Sequence, residues 1–178
     1  MKQLFILAAG IFVLSCNEKK EDEKKDGMET ETAAADIKLP LEVSYKGTPA
    51  IGSWDNASTV MNFNTAFING DNAKMGSLLA DSVTFTLADG SSFNGIRDSA
   101  LAVITNWRQS MTDAKQTYIA IVPVNNTTTK DEWVFQWIDE EHNYKDGKKD
   151  HAILHEDYRL VGGKIRQINQ YAQAVPKK

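Results

Sequence analysis

From Asp55 onward, Ala57, Val60, Met61, Asn64, Phe67 and Ile68 recur at three- and four-residue spacing, the period of one helix face. Asp55 stands where a helix is capped and Gly70 where one ends, so a first helix is predicted between them. A second, short helix is predicted from Asn72 to Leu79. Val83, Phe85 and Leu87 then alternate as a strand does, and Asp89-Gly90 reads as a turn. A third helix is predicted from Arg97 to Met111, with Ala100, Leu101, Ile104, Trp107 and Met111 on one face. Beyond it the period falls to two. Strands are predicted over Gln116 to Val124, Asp131 to Asn143, Asp150 to Val161 and Lys164 to Gln173, separated by Asn125 to Lys130, Asp146-Gly147 and Gly162-Gly163. Helices first and a meander of strands last make an α+β domain.

Strand parity then predicts which side chains share a face, because residues opposite one another in a hairpin point the same way. If Asp146-Gly147 is the centre of a tight turn, Trp133, Phe135 and Trp137 share a face with Leu160, Tyr158 and Glu156. A turn at Gly162-Gly163 adds Ile165, Gln167, Asn169 and Tyr171, and the preceding strand adds Tyr118, Ala120 and Val122. This aromatic face is expected to be the covered one. Glu156 is its odd member, a carboxyl in apolar surroundings, where burial favours the neutral form and makes a usable acid or base near neutral pH. The alternative is a bulge that turns Asp157 inward instead. His155 and Asp157 are expected to form a surface ion pair on the opposite face, with His142 and His151 solvated near the hairpin tip. The outer face is expected to carry Val134, Ile138, Ile153 and Ile168, an apolar patch suited to a homodimer.

The N-terminus is patterned differently. Lys2 precedes an apolar run from Leu4 to Leu14 that ends in Val13-Leu14-Ser15-Cys16, the layout of a signal peptide and too short for a spanning helix. Every residue from Glu18 to Asp26 is charged, with both signs interleaved, and little bulky follows up to Asp36. Such a segment cannot bury enough apolar area to offset its ordering entropy, so it reads as a solvated tether. Leu39 to Tyr45 has the pattern of a short strand or docking arm. The expected organisation is a signal peptide at 1–15, a tether at 16–54 and one folded domain at 55–178.

Val13-Leu14-Ser15-Cys16 resembles the lipobox of bacterial lipoproteins. What that resemblance implies is acylation of Cys16, anchorage to a membrane through that lipid, and, with Asn17 rather than an aspartate following, the outer membrane of the cell envelope. The acidic patch after the cysteine also resembles surface-export signals of some lipoproteins. Cys16 is the only cysteine among 178 residues, which leaves no disulfide to form.

The formal net charge of −4 and the absence of a basic stripe interleaved with aromatics argue against a nucleic-acid partner. Three histidines without helical spacing or clustered acids give no metal site, and no glycine loop or nucleophile elbow implies a cofactor or a serine hydrolase.

A first helix closed by Asn69-Gly70-Asp71, the phrase Leu78-Leu79-Ala80-Asp81-Ser82-Val83, a helix opened by Asn94-Gly95, and the closing His155-Glu156-Asp157-Tyr158-Arg159-Leu160 before Gly163-Lys164-Ile165 resemble the nuclear-transport-factor-2-like superfamily, SnoaL-like type. The resemblance spans nearly the whole domain. It implies a cone-shaped fold, three helices on a strongly curved and mostly antiparallel sheet, with a pocket on the concave face. Three functions are then open. The domain binds a small, largely apolar molecule; it is a proton-transfer enzyme with Glu156 as base and Tyr118, Tyr171 or Asn169 orienting an oxygen; or it is a dimeric interaction module whose pocket is plugged by Trp133, Phe135 and Trp137.

Overall fold

The computed structural model describes residues 47–175. Cys16, the expected signal peptide, the expected tether up to residue 46 and the Leu39 to Tyr45 segment lie outside the described residues.

Helix α1 runs Trp54–Asn69 and is capped by Ser53, whose hydroxyl accepts from the Asp55 amide, so the capping oxygen comes from Ser53 and not from Asp55. Its other end is closed by Gly70 at φ 68°, with the Asp71 amide donating back to the Ala66 carbonyl at 2.8 Å. The inward face carries Val60, Phe63, Asn64 and Phe67, while Met61 is exposed. Helix α2 is Asn72–Leu78, opened by the Asp71 carboxylate on the Lys74 amide at 2.9 Å. Helix α3, Arg97–Gln109, buries Ala100 and Ile104. Its Arg108 guanidinium donates to the Phe67 and Ile68 carbonyls at 3.0 and 2.8 Å, which ties α3 to the open carbonyl end of α1. Met111 belongs to the next strand and not to α3.

Seven strands form one sheet: β1 Pro49–Ile51, β2 Leu79–Thr86, β3 Ser92–Ile96, β4 Met111–Asn126, β5 Glu132–Tyr144, β6 Lys149–Val161 and β7 Lys164–Ala174. Their spatial order is β1-β4-β5-β6-β7-β2-β3, with every neighbouring pair antiparallel except β2 and β7. Strands β1 and β3 have no counterpart in the apolar pattern: β1 falls in the stretch read as linker, and Asn94-Gly95 of β3 was read as opening a helix. Both are short edge strands, where backbone pairing outweighs a weak side-chain signal. The helices cover one face of the sheet, and Val60, Phe67, Met75, Val83, Val134 and Ile165 lie at the centre of the core between them.

The register corrects the parity argument at three places. In the β5–β6 hairpin Trp133 faces Arg159, Phe135 faces Asp157 and Trp137 faces His155. The loop is one residue longer than a two-residue turn: the Gly147 amide closes on the Tyr144 carbonyl and Gly147 sits at φ 86°. One residue of slip exchanges the two faces of β5. In β6–β7 the Gly162-Gly163 turn holds as expected, but a bulge after Leu160↔Ile165 makes Asp157 face Asn169 and His155 face Tyr171. In β4 a bulge at Ile119 leaves Tyr118 inward beside Ile138 and turns Ala120 and Val122 outward beside Trp137 and Phe135.

Candidate functional site

The concave face between helices and sheet is therefore lined by the other set of residues. Along β5 it carries Val134, Gln136, Ile138, Glu140 and His142, all buried. Along β6 it carries Leu154, Glu156, Tyr158 and Leu160, also buried. Glu156 faces inward as expected, since the four alternate residues of β6 stay together whatever register the neighbour takes. Asp157 lies on the outer face, where it meets His155 at 3.0 Å. Trp133, Phe135, Trp137, Asn169 and Tyr171, expected in the pocket, all stand on the outer face with that pair. Trp137 stacks on His155 with centroids 4.6 Å apart, and Tyr171 packs on its other side at 5.7 Å. Of the residues expected on the covered face, Tyr118, Glu156, Tyr158, Leu160 and Ile165 lie on the concave side. Val134, Ile138 and Ile168, expected on an outer dimer patch, are buried core residues.

Two connected spaces open on the concave face. The inner chamber has a volume of about 100 Å³, with apolar walls from Phe63, Phe67, Phe85, Val103, Ile104 and Ile168. Its polar end is made by Asn64, Gln116, Glu140, Glu156, Tyr158 and Gln170. An outer vestibule of about 580 Å³ lies toward the β5–β6 hairpin and is lined by His142, Tyr144, Lys148, Asp150 and His151, among others. Leu87, Trp107, Glu140 and Gln170 line both, so Glu140 stands where the two spaces meet. Trp107, read from its spacing as simple core, is part of that boundary.

Glu156 is held in a closed ring of hydrogen bonds. Gln136 donates to Glu156 Oε2 at 2.5 Å, Asn64 donates to Gln136 Oε1 at 3.1 Å, and Tyr158 Oη lies 3.1 Å from Asn64 Oδ1 and 2.9 Å from Glu156 Oε2. A tyrosine has one hydrogen for two acceptors, and a protonated Glu156 resolves the count by donating to Tyr158, which then donates to Asn64. Burial raises the Glu156 pKa, in agreement with that proton. Gln170 donates to Oε1 at 2.9 Å, and Asn64 also donates to Tyr118 at 3.0 Å. Burial pushes Tyr118 up to about 12, so it stays a neutral phenol.

Glu140 is buried as deeply but served less well. Gln116 donates to Oε2, while Oε1 lies 3.2 Å from His142 Nε2. Burial, and then the neighbouring Glu156, push the Glu140 pKa up to about 8. Burial lowers the His142 pKa, so near pH 7 the two meet as neutral groups and not as an ion pair. The contact is close but misaligned: His142 Nε2 has no hydrogen-bond partner, and neither has the buried Gln116 Oε1. His142, expected to be solvated, is enclosed edge-on by Phe67 at 6.3 Å, Trp107 at 5.3 Å and Tyr144 at 6.0 Å. His151 does lie at the surface, paired with Asp139 at 2.7 Å. Asp139, Glu141 and His151 bring polar atoms within 4.8 Å of one another, but on a face open to water, where such groups are ordinarily solvated ion pairs.

No protein-family profile and no curated protein matches the chain by sequence. Solved structures do match its shape. An LEH-like epoxide hydrolase from M. tuberculosis superposes with a TM-score of 0.58 at 12% identity, over 68% of this chain and 84% of that one. The chain has the nuclear-transport-factor-2-like fold. A candidate ketosteroid isomerase from Kribbella flavida matches at 0.53 and 11% identity, over 72% of this chain and 84% of that one. A nuclear-transport-factor-2-like protein of unknown function from Burkholderia pseudomallei matches at 0.52 and 16%, over 67% and 91%. These likenesses establish the fold, and the chemistry must come from this chain's own residues.

Gln116, Gln136, Glu140, His142 and Gln170 were not singled out as pocket residues by the sequence reading. One signal was available: Ile138, Glu140 and His142 share a parity, so a buried Ile138 would have drawn the other two inward.

Proposed function

We propose that the domain binds a small, largely apolar molecule in the inner chamber, and that the mature protein is held on a membrane of the cell envelope through lipid on Cys16. The observation that supports binding is the chamber itself, apolar along its walls and polar only at its end, the composition of ligand pockets. It is not plugged by Trp133, Phe135 or Trp137. An apolar cavity of about 150 Å³ takes up one benzene ring, so a chamber of about 100 Å³ holds no more than part of a single ring, the remainder lying toward the vestibule. Val103 lines the chamber yet is partly exposed, so Val103→Trp should fill the space with little strain. Saturation-transfer NMR with benzene or cyclohexanone should detect binding that this variant weakens by at least about tenfold. Unchanged binding in Val103→Trp would show that the ring compound sits elsewhere.

The membrane reading rests on the lone cysteine after an apolar run. Cys16→Ser should move the protein from the detergent phase to the aqueous phase, and a variant still in the detergent phase would reject lipid on Cys16. A proton-transfer enzyme is the second reading, favoured by the desolvated Glu140 at the chamber's end. Homodimerisation through the outer sheet face is proposed separately, on exposed Ile119, Trp137 and Tyr171 in place of the buried Ile138. Sedimentation that gives a monomer at high concentration would remove it.

A further inference from the structure

The polar end of the inner chamber contains two carboxyls, but its unpartnered atoms gather around only one of them. Gln116 Oε1 and His142 Nε2 flank Glu140, both buried and both without a hydrogen-bond partner. Buried polar atoms in folded proteins are nearly always paired, and an orphan costs free energy until something pairs it. His142 is 6% exposed and Glu140 likewise, so bulk water does not serve them freely. Gln116 Oε1 can only accept a hydrogen bond. The Glu140 acid has a proton to give, and misalignment keeps His142 from taking it well. What fits between them is one group that donates and accepts through a single atom, which is a hydroxyl.

We propose that Gln116 and Glu140 form a hydroxyl-recognition site for a small apolar alcohol or phenol, with His142 as the relay that exchanges the Glu140 proton with water in the vestibule. The ligand O–H donates to Gln116 Oε1 and its oxygen accepts the Glu140 proton, while its ring fills the apolar chamber. The assignment rests on the chamber being the binding site and adds the class of ligand. When Glu140 is ionised, binding draws one proton from solvent: a vestibule water protonates His142 on Nδ1 while the Nε2 proton passes to Glu140 Oε1, which leaves His142 neutral as the opposite tautomer. No bond other than those to the proton changes.

The groups facing Glu140 are few. Glu156 and Tyr158 of β6, both raised by burial, are hydrogen-bonded to each other in their ring, and Tyr118 of β4 is a neutral phenol. Asp150 of β6 and Arg108 of α3 act on His142 in opposite senses, and Tyr144 of β5 borders it. Helix α1 and strand β7 contribute Asn64 and Gln170, which do not titrate. The pH dependence between about 6 and 9 is assigned to Glu140, whose pKa burial raises to about 8 beside the hydroxyl site.

The test uses the full chain in mild detergent, with phenol and benzene as probes in calorimetry. Phenol should bind about tenfold more tightly than benzene, and Gln116→Leu should remove that preference while benzene affinity stays within about threefold. At pH 9, heats measured in two buffers of different ionisation enthalpy should reveal uptake of up to about one proton per phenol bound, with little at pH 6. Glu140→Gln should still bind phenol, with no proton uptake at either pH. His142→Phe should keep the uptake but slow its approach to equilibrium. Equal affinities for phenol and benzene, or phenol binding without proton uptake at pH 9, would overturn the hydroxyl site and leave the apolar chamber standing. If neither probe binds, both readings fall.

Discussion

Glu140 and Glu156 sit on adjacent strands of one concave face, each 6% exposed, and yet they occupy opposite chemical situations. Glu156 is enclosed by Gln136, Asn64, Tyr158 and Gln170, and its oxygens are fully used. Glu140 has one firm partner in Gln116 and is flanked by orphaned atoms. The comparison teaches that burial raises the pKa of both carboxyls but does not make both available. A satisfied network rigidifies a core, whereas unspent hydrogen-bonding capacity beside a cavity can be given to a ligand. The hydroxyl site proposed above is accordingly placed at Glu140 on the neighbouring strand.

The largest effect expected on the two carboxyls is that of pH. Glu140 is raised from 4.5 to about 8 on folding, so the unfolded chain gives up its proton first. Its contribution to stability is complete below pH 4.5 and is lost as pH rises to about 8; Glu156, also raised, adds in the same direction. Urea denaturation should show stability falling by on the order of 4 kcal/mol across that window, and Glu140→Gln should flatten much of the slope. A wild-type profile that is already flat would mean that Glu140 is hydrated in the folded state.

The next effect separates the two carboxyls at constant pH. Tyr158→Phe removes one hydroxyl from the closed ring and strands Asn64 Oδ1 and Glu156, which should cost about 2 kcal/mol. His142→Phe removes a nitrogen that has no partner and keeps the aromatic packing against Phe67 and Trp107, so it should cost less than about 1 kcal/mol. Equal losses would show that the Glu140 side is as firmly bonded as the Glu156 side.

The smallest effect serves as the control. Asp157 is a third carboxyl, on the outer face, whose pKa burial raises while nearby His155 opposes the rise. Asp157→Asn should change stability by less than about 1 kcal/mol, as for other surface pairs, and should leave phenol binding unaltered. Thermal melts and the same calorimetry check both.

Much of this molecule was legible in its pattern of side chains. The three helices and the four long strands follow from periods of 3.6 and 2, and Gly70, Asp89-Gly90 and Gly162-Gly163 mark real ends and turns. The inward direction of Glu156 was legible too, because alternation within one strand is a local property of the backbone. The aromatic lining was not. Whether Trp133, Phe135 and Trp137 share the face of Glu156 or that of His155 depends on one residue in the loop before Lys148, and bulges near Ile119 and Arg166 likewise decide the faces of Ala120 and Val122 and of Asn169 and Tyr171.

The α+β order of elements, the alternation along each long strand and the carboxyl, amide and phenol groups on β4 to β7 are written in the order of side chains along the chain. Tertiary structure alone decided which of those groups became the end of a cavity. Helices α1 and α3, clamped by Arg108 on the Phe67 and Ile68 carbonyls, cover one face of the sheet and not the other. Desolvation, and with it the shift of Glu140 and the isolation of His142, is a property of what lies above a residue and not of the residues beside it in the chain.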